Sequence, residues 1–380
     1  MSPSPTLALY IHWPYCARIC PYCDFNVVRA RGRDGERSAL LAALEADIAA
    51  HARRLGSRQL TSIFFGGGTP SLLEPAEVAR LIAAARRVFA ANDELEITLE
   101  ANPTDAEAKR FADLAAIGVN RLSLGLQSLD DAELAFLGRN HDAAAGRAAL
   151  AAAQSAFARV SVDLIYALPE QAPEAWRRGL AEVAGSGVEH VSAYQLTIEP
   201  STAFARAVAR GRLAPADEER AAEMFAITDE VLSRLGFEAY EVSNHARGKA
   251  ARSRHNQAYW RGEEYAGIGP GSHGRLRDGA TWLASEAPRS ISAYVAHVER
   301  QGLGAKLTPL SARERALERL LMGLRTIDGV AEGDLAALDL SEGRLGQLAG
   351  FVGRRDGRLR ATARGRRVLD RVIAELADAA

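Results

Sequence analysis

Apolar positions fall into short runs at 7–11, 62–65, 95–99, 121–126, 160–166, 191–198 and 238–242, separated by Ala-rich stretches with amphipathic spacing. A repeat of roughly 30 residues is that of a strand followed by a helix that returns the chain to a parallel neighbour. The runs therefore predict parallel strands, and 38–55, 75–91, 105–117, 142–158, 173–186 and 216–235 predict the helices between them. Apolar runs of this kind are expected of a sheet buried on both faces. The fold class is α/β, a partial parallel (β/α) barrel over 1–245.

From 246 to 304 the pattern breaks into a Gly- and Arg-rich connection, expected to be irregular, which contains His255-Asn256-Gln257-Ala258-Tyr259-Trp260. Over 305–380 the segments 312–325, 332–338 and 342–351 read as helices, 358–362 as a short strand and 365–377 as a last helix. That order predicts a small, mainly helical domain resembling a winged helix. A barrel with a smaller partner suits 380 residues.

Polar residues cluster just after the expected strand ends, where parallel barrels carry their chemistry. Cys16, Cys20 and Cys23 are the only cysteines in the chain. Three thiolates leave a four-thiolate iron–sulfur cluster one ligand short, and so open to a small molecule. Two other readings compete: buried thiols acting as small hydrophobes, and a Cys₃His zinc tetrahedron completed by His12. Gly66-Gly67-Gly68-Thr69 ends a strand with a backbone that a ligand can approach closely. It lacks the Lys of a phosphate-binding loop and the spaced glycines of a dinucleotide fingerprint. Glu100 ends another strand and could accept both hydroxyls of a ribose. Gln127, Arg139 and Asp163 could form a polar collar around the same opening.

A formal net charge of −1 excludes a globally basic nucleic-acid binder. The Arg-rich run 353–371 reads as a solvated or protein-docking face. No stable nucleic-acid binding is expected, and at most peripheral membrane contact. Residues 1–6 carry no signal-like pattern, so a reducing cytoplasm is expected.

The cysteine spacing at 16–23, the Gly66–Thr69 turn, Asn120-Arg121-Leu122-Ser123-Leu124-Gly125-Leu126-Gln127-Ser128, Leu137-Gly138-Arg139-Asn140-His141 and Asp163-Leu164-Ile165-Tyr166-Ala167-Leu168-Pro169 together resemble the radical S-adenosylmethionine (SAM) superfamily. Within it they resemble the group of oxygen-independent coproporphyrinogen III oxidases and HemW-type heme chaperones. The likeness extends to Leu321-Met322-Gly323-Leu324-Arg325. It implies that Cys16, Cys20 and Cys23 hold a [4Fe–4S] cluster whose remaining iron is chelated by SAM. Tyr10, Gly67 and Glu100 would contact that SAM. Gly68, Thr69, Gln127, Arg139 and Asp163 match positions that line a second SAM in the oxidase.

Two departures from the oxidase pattern point to the chaperone branch. Phe25 stands where the oxidases carry a further Cys, and His255-Asn256-x-x-Tyr259-Trp260 resembles the HNxxYW motif of the chaperones. That resemblance implies heme as a ligand, with His255, Asn256, Tyr259 and Trp260 as its contacts and Arg247, Arg252, Arg254 and Arg261 as partners for propionates. It implies transfer of heme to acceptor hemoproteins, respiratory ones among them. The alternatives at this motif and for the whole chain are an aromatic anchor that pins the connection to the barrel, and an oxidase that decarboxylates coproporphyrinogen III by radical chemistry.

Overall fold

A computed structural model describes residues 4–104, 108–338 and 340–377. The start of the helix expected at 105 and the first residues of the amino terminus lie outside the described residues. Phe111–Ala116 is helical within the first of those expectations.

Six strands follow one another in parallel, each beside the next: β1 (Thr6–Trp13), β2 (Gln59–Gly67), β3 (Ala90–Ala101), β4 (Arg121–Gln127), β5 (Arg159–Tyr166) and β6 (His190–Gln195). Helices Asp34–Leu55, Pro75–Val88, Ala143–Ala156 and Pro173–Gly185 make the crossovers. Leu7, Leu9 and Ile11 on one side of β1, with Leu40, Leu44 and Ile48 of the first helix, belong to one fully buried core. Side chains alternate across a strand, so Ala8, Tyr10 and His12 occupy the opposite face. Glu96, Thr98 and Glu100 do the same on β3, and Arg121 and Ser123 on β4. The inner face is therefore polar as well as buried, which an apolar-run reading does not resolve.

The run at 238–242 is not a seventh parallel strand. β7 (Glu238–Glu241) pairs antiparallel with β8 (Asn244–Ala246), which pairs antiparallel with β6. The stretch 246–304, expected to be irregular, contains the helix Arg254–Trp260 and three strands, β9 (Tyr265–Ile268), β10 (His273–Asp278) and β11 (Thr281–Glu286). β9 lies parallel beside β1, and β10, β11 and β12 (Lys306–Pro309) extend that side antiparallel. The full order is β12-β11-β10-β9-β1-β2-β3-β4-β5-β6-β8-β7, an open sheet with two edges. β9 and β12 are only four residues long, the first broken by Gly267 and the second ending in Pro309, which explains why periodicity missed them.

A second core collects Leu320, Leu324, Val330, Leu359 and Leu376. It joins helices Ala312–Gly323 and Leu369–Ala377 to an antiparallel sheet of β13 (Val330–Ala331), β14 (Val352–Arg355) and β15 (Arg358–Ala361). Asp356-Gly357, both with positive φ, make the hairpin turn between β14 and β15. The barrel meets this unit through backbone bonds from Val242 N to Arg325 O (2.9 Å) and from Ile327 N to Tyr240 O (3.2 Å).

Asp47 shows how the added strands are locked to the first helix. It is fully buried and accepts from Tyr294 Oη and from Gly304 N, each at 2.7 Å, with His51 Nδ1 3.1 Å away. Removing one member of a buried charged network strands its partners, so Asp47→Ala is expected to cost about 3 kcal/mol in urea unfolding. An unchanged transition midpoint would refute this role.

Candidate functional site

After Trp13 the chain turns at Pro14, and Tyr15–Cys16 pairs in parallel with Val28–Arg29. Val28 N to Pro14 O (2.8 Å) and Ala30 N to Cys16 O (2.9 Å) close the base of a loop that hangs over the carboxyl ends of the parallel strands. Inside it, Cys23 N bonds Cys20 O at 3.2 Å and Pro21 O accepts from Phe204 N at 3.0 Å. Gly138 has a φ of 69°, and a Cβ there would stand 2.6 Å from Pro21 Cδ, so only glycine lets the loop seat. Asn26 holds the far side, donating to Pro270 O and Arg289 O at 2.9 Å each.

Beneath the loop is a cavity of about 350 Å³ lined by all three cysteines. Gly67, Gly68, Thr69, Glu100, Gln127, Arg139 and Asp163 line the same cavity, so four strands deliver the expected residues to one place. The volume falls in the range of small-molecule pockets. Gly67 has a φ of 108° and faces the His12 ring, leaving no room for a Cβ, while its N–H donates to Glu100 Oε2 at 3.1 Å. Gln127 has a φ of 67°, and the β4–β5 register shifts between Leu124 and Gln127. Such an irregularity re-aims a side chain at a strand end.

A chain of hydrogen bonds connects two of the thiols. Arg139 Nη1 donates to Cys20 Sγ at 3.5 Å, and its Nη2 to Asn102 Oδ1 at 2.5 Å and to Gly125 O at 3.0 Å. Asn102 Nδ2 donates to Thr69 Oγ1 at 3.0 Å, which donates to Cys16 Sγ at 3.6 Å. Burial pushes the Cys16 and Cys23 thiols up to about 11, so a metal binding there must displace protons. Burial, with the nearby Asp163 carboxylate, raises Glu100 to about 8 against the opposing bond from Gly67. Burial also raises Asp163, although Ser123 Oγ lies 3.1 Å from its Oδ2. Sequence reasoning assigned no role to Asn102, to Ser123 or to Tyr194, which also lines the cavity. Asn102 was legible only as the second residue after Glu100.

His12 does not join the cysteines. Its Nδ1 is 3.0 Å from Tyr10 Oη and its Nε2 2.9 Å from Asn26 O, so a zinc tetrahedron completed by His12 does not fit. Among the described residues, no three or more His, Cys, Asp or Glu side chains converge on a single metal ion. Tyr10 faces a second recess of about 320 Å³, which shares Gly67, Glu100 and Phe25 with the first.

The motif at 255–260 lies on the helix Arg254–Trp260, capped by Ser253, and not on an irregular loop. His255 is 1% exposed; its Nδ1 lies 2.9 Å from Ser62 Oγ, its Nε2 3.0 Å from Tyr259 Oη, and its ring stacks on Phe64. Both ring nitrogens are engaged, and burial lowers the imidazole to about 3, so it offers an iron no free lone pair in this arrangement. Asn256 and Trp260 face Glu241, whose carboxyl burial pushes up to about 8. Of the four, Tyr259 lines the second recess, and none lines the cysteine cavity. The arginines expected at propionates are also engaged: Arg252 with Glu238 (2.6 Å), Arg261 with Asp328 (3.4 Å), Arg247 with Ala184 O (2.8 Å), and Arg254 with Glu94.

Residues 10–180 match the family model described as the Radical SAM superfamily. The chain is 44% identical over 338 residues to the mitochondrial radical S-adenosyl methionine domain-containing protein 1 of Bos taurus, covering 87% of this chain and 76% of that one. It is 35% identical over 379 residues to the heme chaperone HemW of Mycobacterium tuberculosis, covering 98% and 95%. Among solved structures, coproporphyrinogen III oxidase (HemN) of Escherichia coli, a radical SAM enzyme, superposes with a TM-score of 0.81 at 23% identity, covering 98% of this chain and 90% of that one. The open, mainly parallel sheet is thus the fold of that enzyme.

Glu100 gives a pH signature. Its carboxyl is held near 8 in the folded chain and near 4.5 when unfolded, so the folded state binds the extra proton and stability falls as pH rises from about 4.5 to about 8. Glu100→Gln removes that fall, because the amide can still accept from Gly67 N. Melting temperatures across this pH range are expected to decline less in the variant; parallel curves would contradict the assignment.

Proposed function

This chain belongs to the radical SAM superfamily and, within it, to the HemW family, and from that premise we propose that it is a heme chaperone carrying a [4Fe–4S] cluster and SAM. The observation that carries the reading is the 35% identity to a heme chaperone over nearly the whole of both chains, together with a cavity containing three cysteines and no fourth. Phe25 occupies the position of the oxidases' additional Cys and is 62% exposed. The likeness to the oxidase structure supports the fold alone.

In this reading Cys16, Cys20 and Cys23 hold the cluster, with Tyr10, Gly67 and Glu100 toward SAM, and these groups supply an electron source and an exchangeable iron position when bound. Arg139 and Thr69 donate to the sulfurs of Cys20 and Cys16. Asn102 fixes both donors, so the cysteine loop is pre-set before any metal enters. Gly67 N–H orients the Glu100 carboxyl, whose deprotonated form can accept ribose hydroxyls. Gln127 and Asp163 line the far wall, and Gly68 lets the backbone approach, since a Cβ there would stand 2.7 Å from Tyr15 O. Heme passes to acceptor hemoproteins, respiratory ones among them. Among the described residues no helix is long and apolar enough to cross a membrane. Three unpaired thiols suit a reducing compartment such as the cytoplasm.

Anaerobic reconstitution followed by titration with heme tests this. The wild-type chain is expected to show iron–sulfur absorbance and a heme Soret band, and Cys20→Ala to lose the first while retaining the second. With coproporphyrinogen III and a reductant, no protoporphyrinogen IX is expected. Stoichiometric decarboxylation would replace the chaperone with an oxidase.

A further inference from the structure

Asn102 follows β3 in Leu99-Glu100-Ala101-Asn102-Pro103, and Pro103 disfavours helical backbone at the residue before it. The alternation of the strand therefore runs one step further, and Asn102 lines the cysteine cavity together with Glu100. An amide offers an acceptor oxygen and a donor nitrogen, and two neighbours use one each. Arg139 can only donate, so it takes the oxygen, its Nη2 lying 2.5 Å from Asn102 Oδ1. The nitrogen donates to Thr69 Oγ1 at 3.0 Å, which leaves the hydroxyl proton of Thr69 to Cys16 Sγ at 3.6 Å.

The three sulfurs are served differently. Cys23 takes a hydrogen bond from within its own loop, the backbone N–H of Phe25. Cys16 and Cys20 depend instead on side chains from other segments, Thr69 in the turn after β2 and Arg139 in the stretch after β4. Asn102 Oδ1 and Gly125 O fix Arg139 Nη2, and the fork of the guanidinium then aims Nη1 at Cys20 Sγ, 3.5 Å away. One amide thus directs the donors of two sulfurs, so losing it loosens both.

Resting on the cluster reading above, we infer that Asn102 is a positioning residue for the [4Fe–4S] cluster, and that by holding Arg139 on Cys20 and Thr69 on Cys16 it raises the reduction potential of that cluster. Hydrogen bonds to ligating sulfurs and nearby positive charge stabilise the reduced, more negative state. Leucine is close to asparagine in shape but neither accepts nor donates, so Asn102→Leu releases both donors. Thr69→Val removes the hydroxyl alone.

The test is anaerobic reconstitution of wild type, Asn102→Leu, Thr69→Val and the double variant, followed by redox titration read from the electron paramagnetic resonance of the reduced cluster. All four are expected to hold the same iron per chain. At a fixed potential Asn102→Leu is expected to show a tenfold lower ratio of reduced to oxidised cluster, a downward shift of about 59 mV for a one-electron couple. Thr69→Val is expected to shift the same way by less, and the double variant to fall short of the sum, because the amide reaches Cys16 through the hydroxyl. A merely structural role would lower iron content or melting temperature and leave the potential of the bound cluster unmoved. Equal potentials for wild type and Asn102→Leu at equal iron content overturn the inference while the cluster reading stands. If Asn102→Leu holds no iron, Thr69→Val decides: a lowered potential upholds the inference and an unshifted one overturns it. If wild type itself assembles no cluster, the reading beneath the inference fails.

Discussion

An open sheet whose concave face is polar must neutralise the charge it buries there, and the carboxylate of Glu96 is where this chain does so. Glu96 is 1% exposed; it receives Arg159 Nη1 at 2.8 Å and the backbone N–H groups of Arg254 at 3.2 Å and His255 at 3.1 Å. Burial alone would raise its carboxyl, yet Arg121, Arg159 and the two N–H groups hold it below the usual carboxylate range. Two of its bonds go to the first turn of the helix Arg254–Trp260, where a negative charge is favoured and backbone donors would otherwise lack partners. Glu96 thus fastens that helix to the inner face of the sheet. With the helix in place, Tyr259 meets Tyr265 on β9, and β9 completes the side of the sheet beyond β1.

That floor separates structural polarity from chemical polarity. Glu96, Ser161 and His190 sit low on the strands and bond to other strands, with the charge of Arg121 acting on Glu96, whereas Glu100, Gln127 and Asp163 lie toward the carboxyl ends and open onto the cavity. Glu96 and Glu100 are four residues apart on one strand and on the same face, but one is paired with guanidinium groups and the other is pushed up to about 8 by burial beside Asp163. Position along the strand decides which becomes an anchor and which remains free to meet a ligand. The cysteine loop caps this upper layer, fixed by Gly138 against Pro21 at one edge and by Asn26 at the other.

Much of this was legible without coordinates because each signal was local. Six apolar runs with a βα repeat gave the parallel strands, and residues just past their ends gave the cavity, since strand ends share one side of a parallel sheet. What was not legible depended on pairing between distant segments. The run at 238–242 has strand composition, yet its direction depends on a turn at 242–243, where Ser243 adopts a φ of 81°. The strands within 246–309 are four to six residues long and rely on β1 for their place, so their own pattern carries little. The polar inner face was present as alternation in Arg121-Leu122-Ser123-Leu124, but that alternation is indistinguishable from a half-exposed strand until the far wall is known.

The motif at 255–260 shows why residue type alone does not assign a ligand. Histidine, asparagine and two aromatics close together read as a binding motif, but here each spends its polar atoms on the frame. His255 spans Ser62 and Tyr259; Asn256 and Trp260 face Glu241; and Trp260 O accepts from Arg319 of the carboxyl-terminal unit at 3.0 Å. β7, which carries Glu241, bonds that same unit through Tyr240 and continues to Val242. The motif is therefore a joint among the sheet, the helix and the carboxyl-terminal unit, and its composition follows from needing aromatic bulk and polar partners at one crossing.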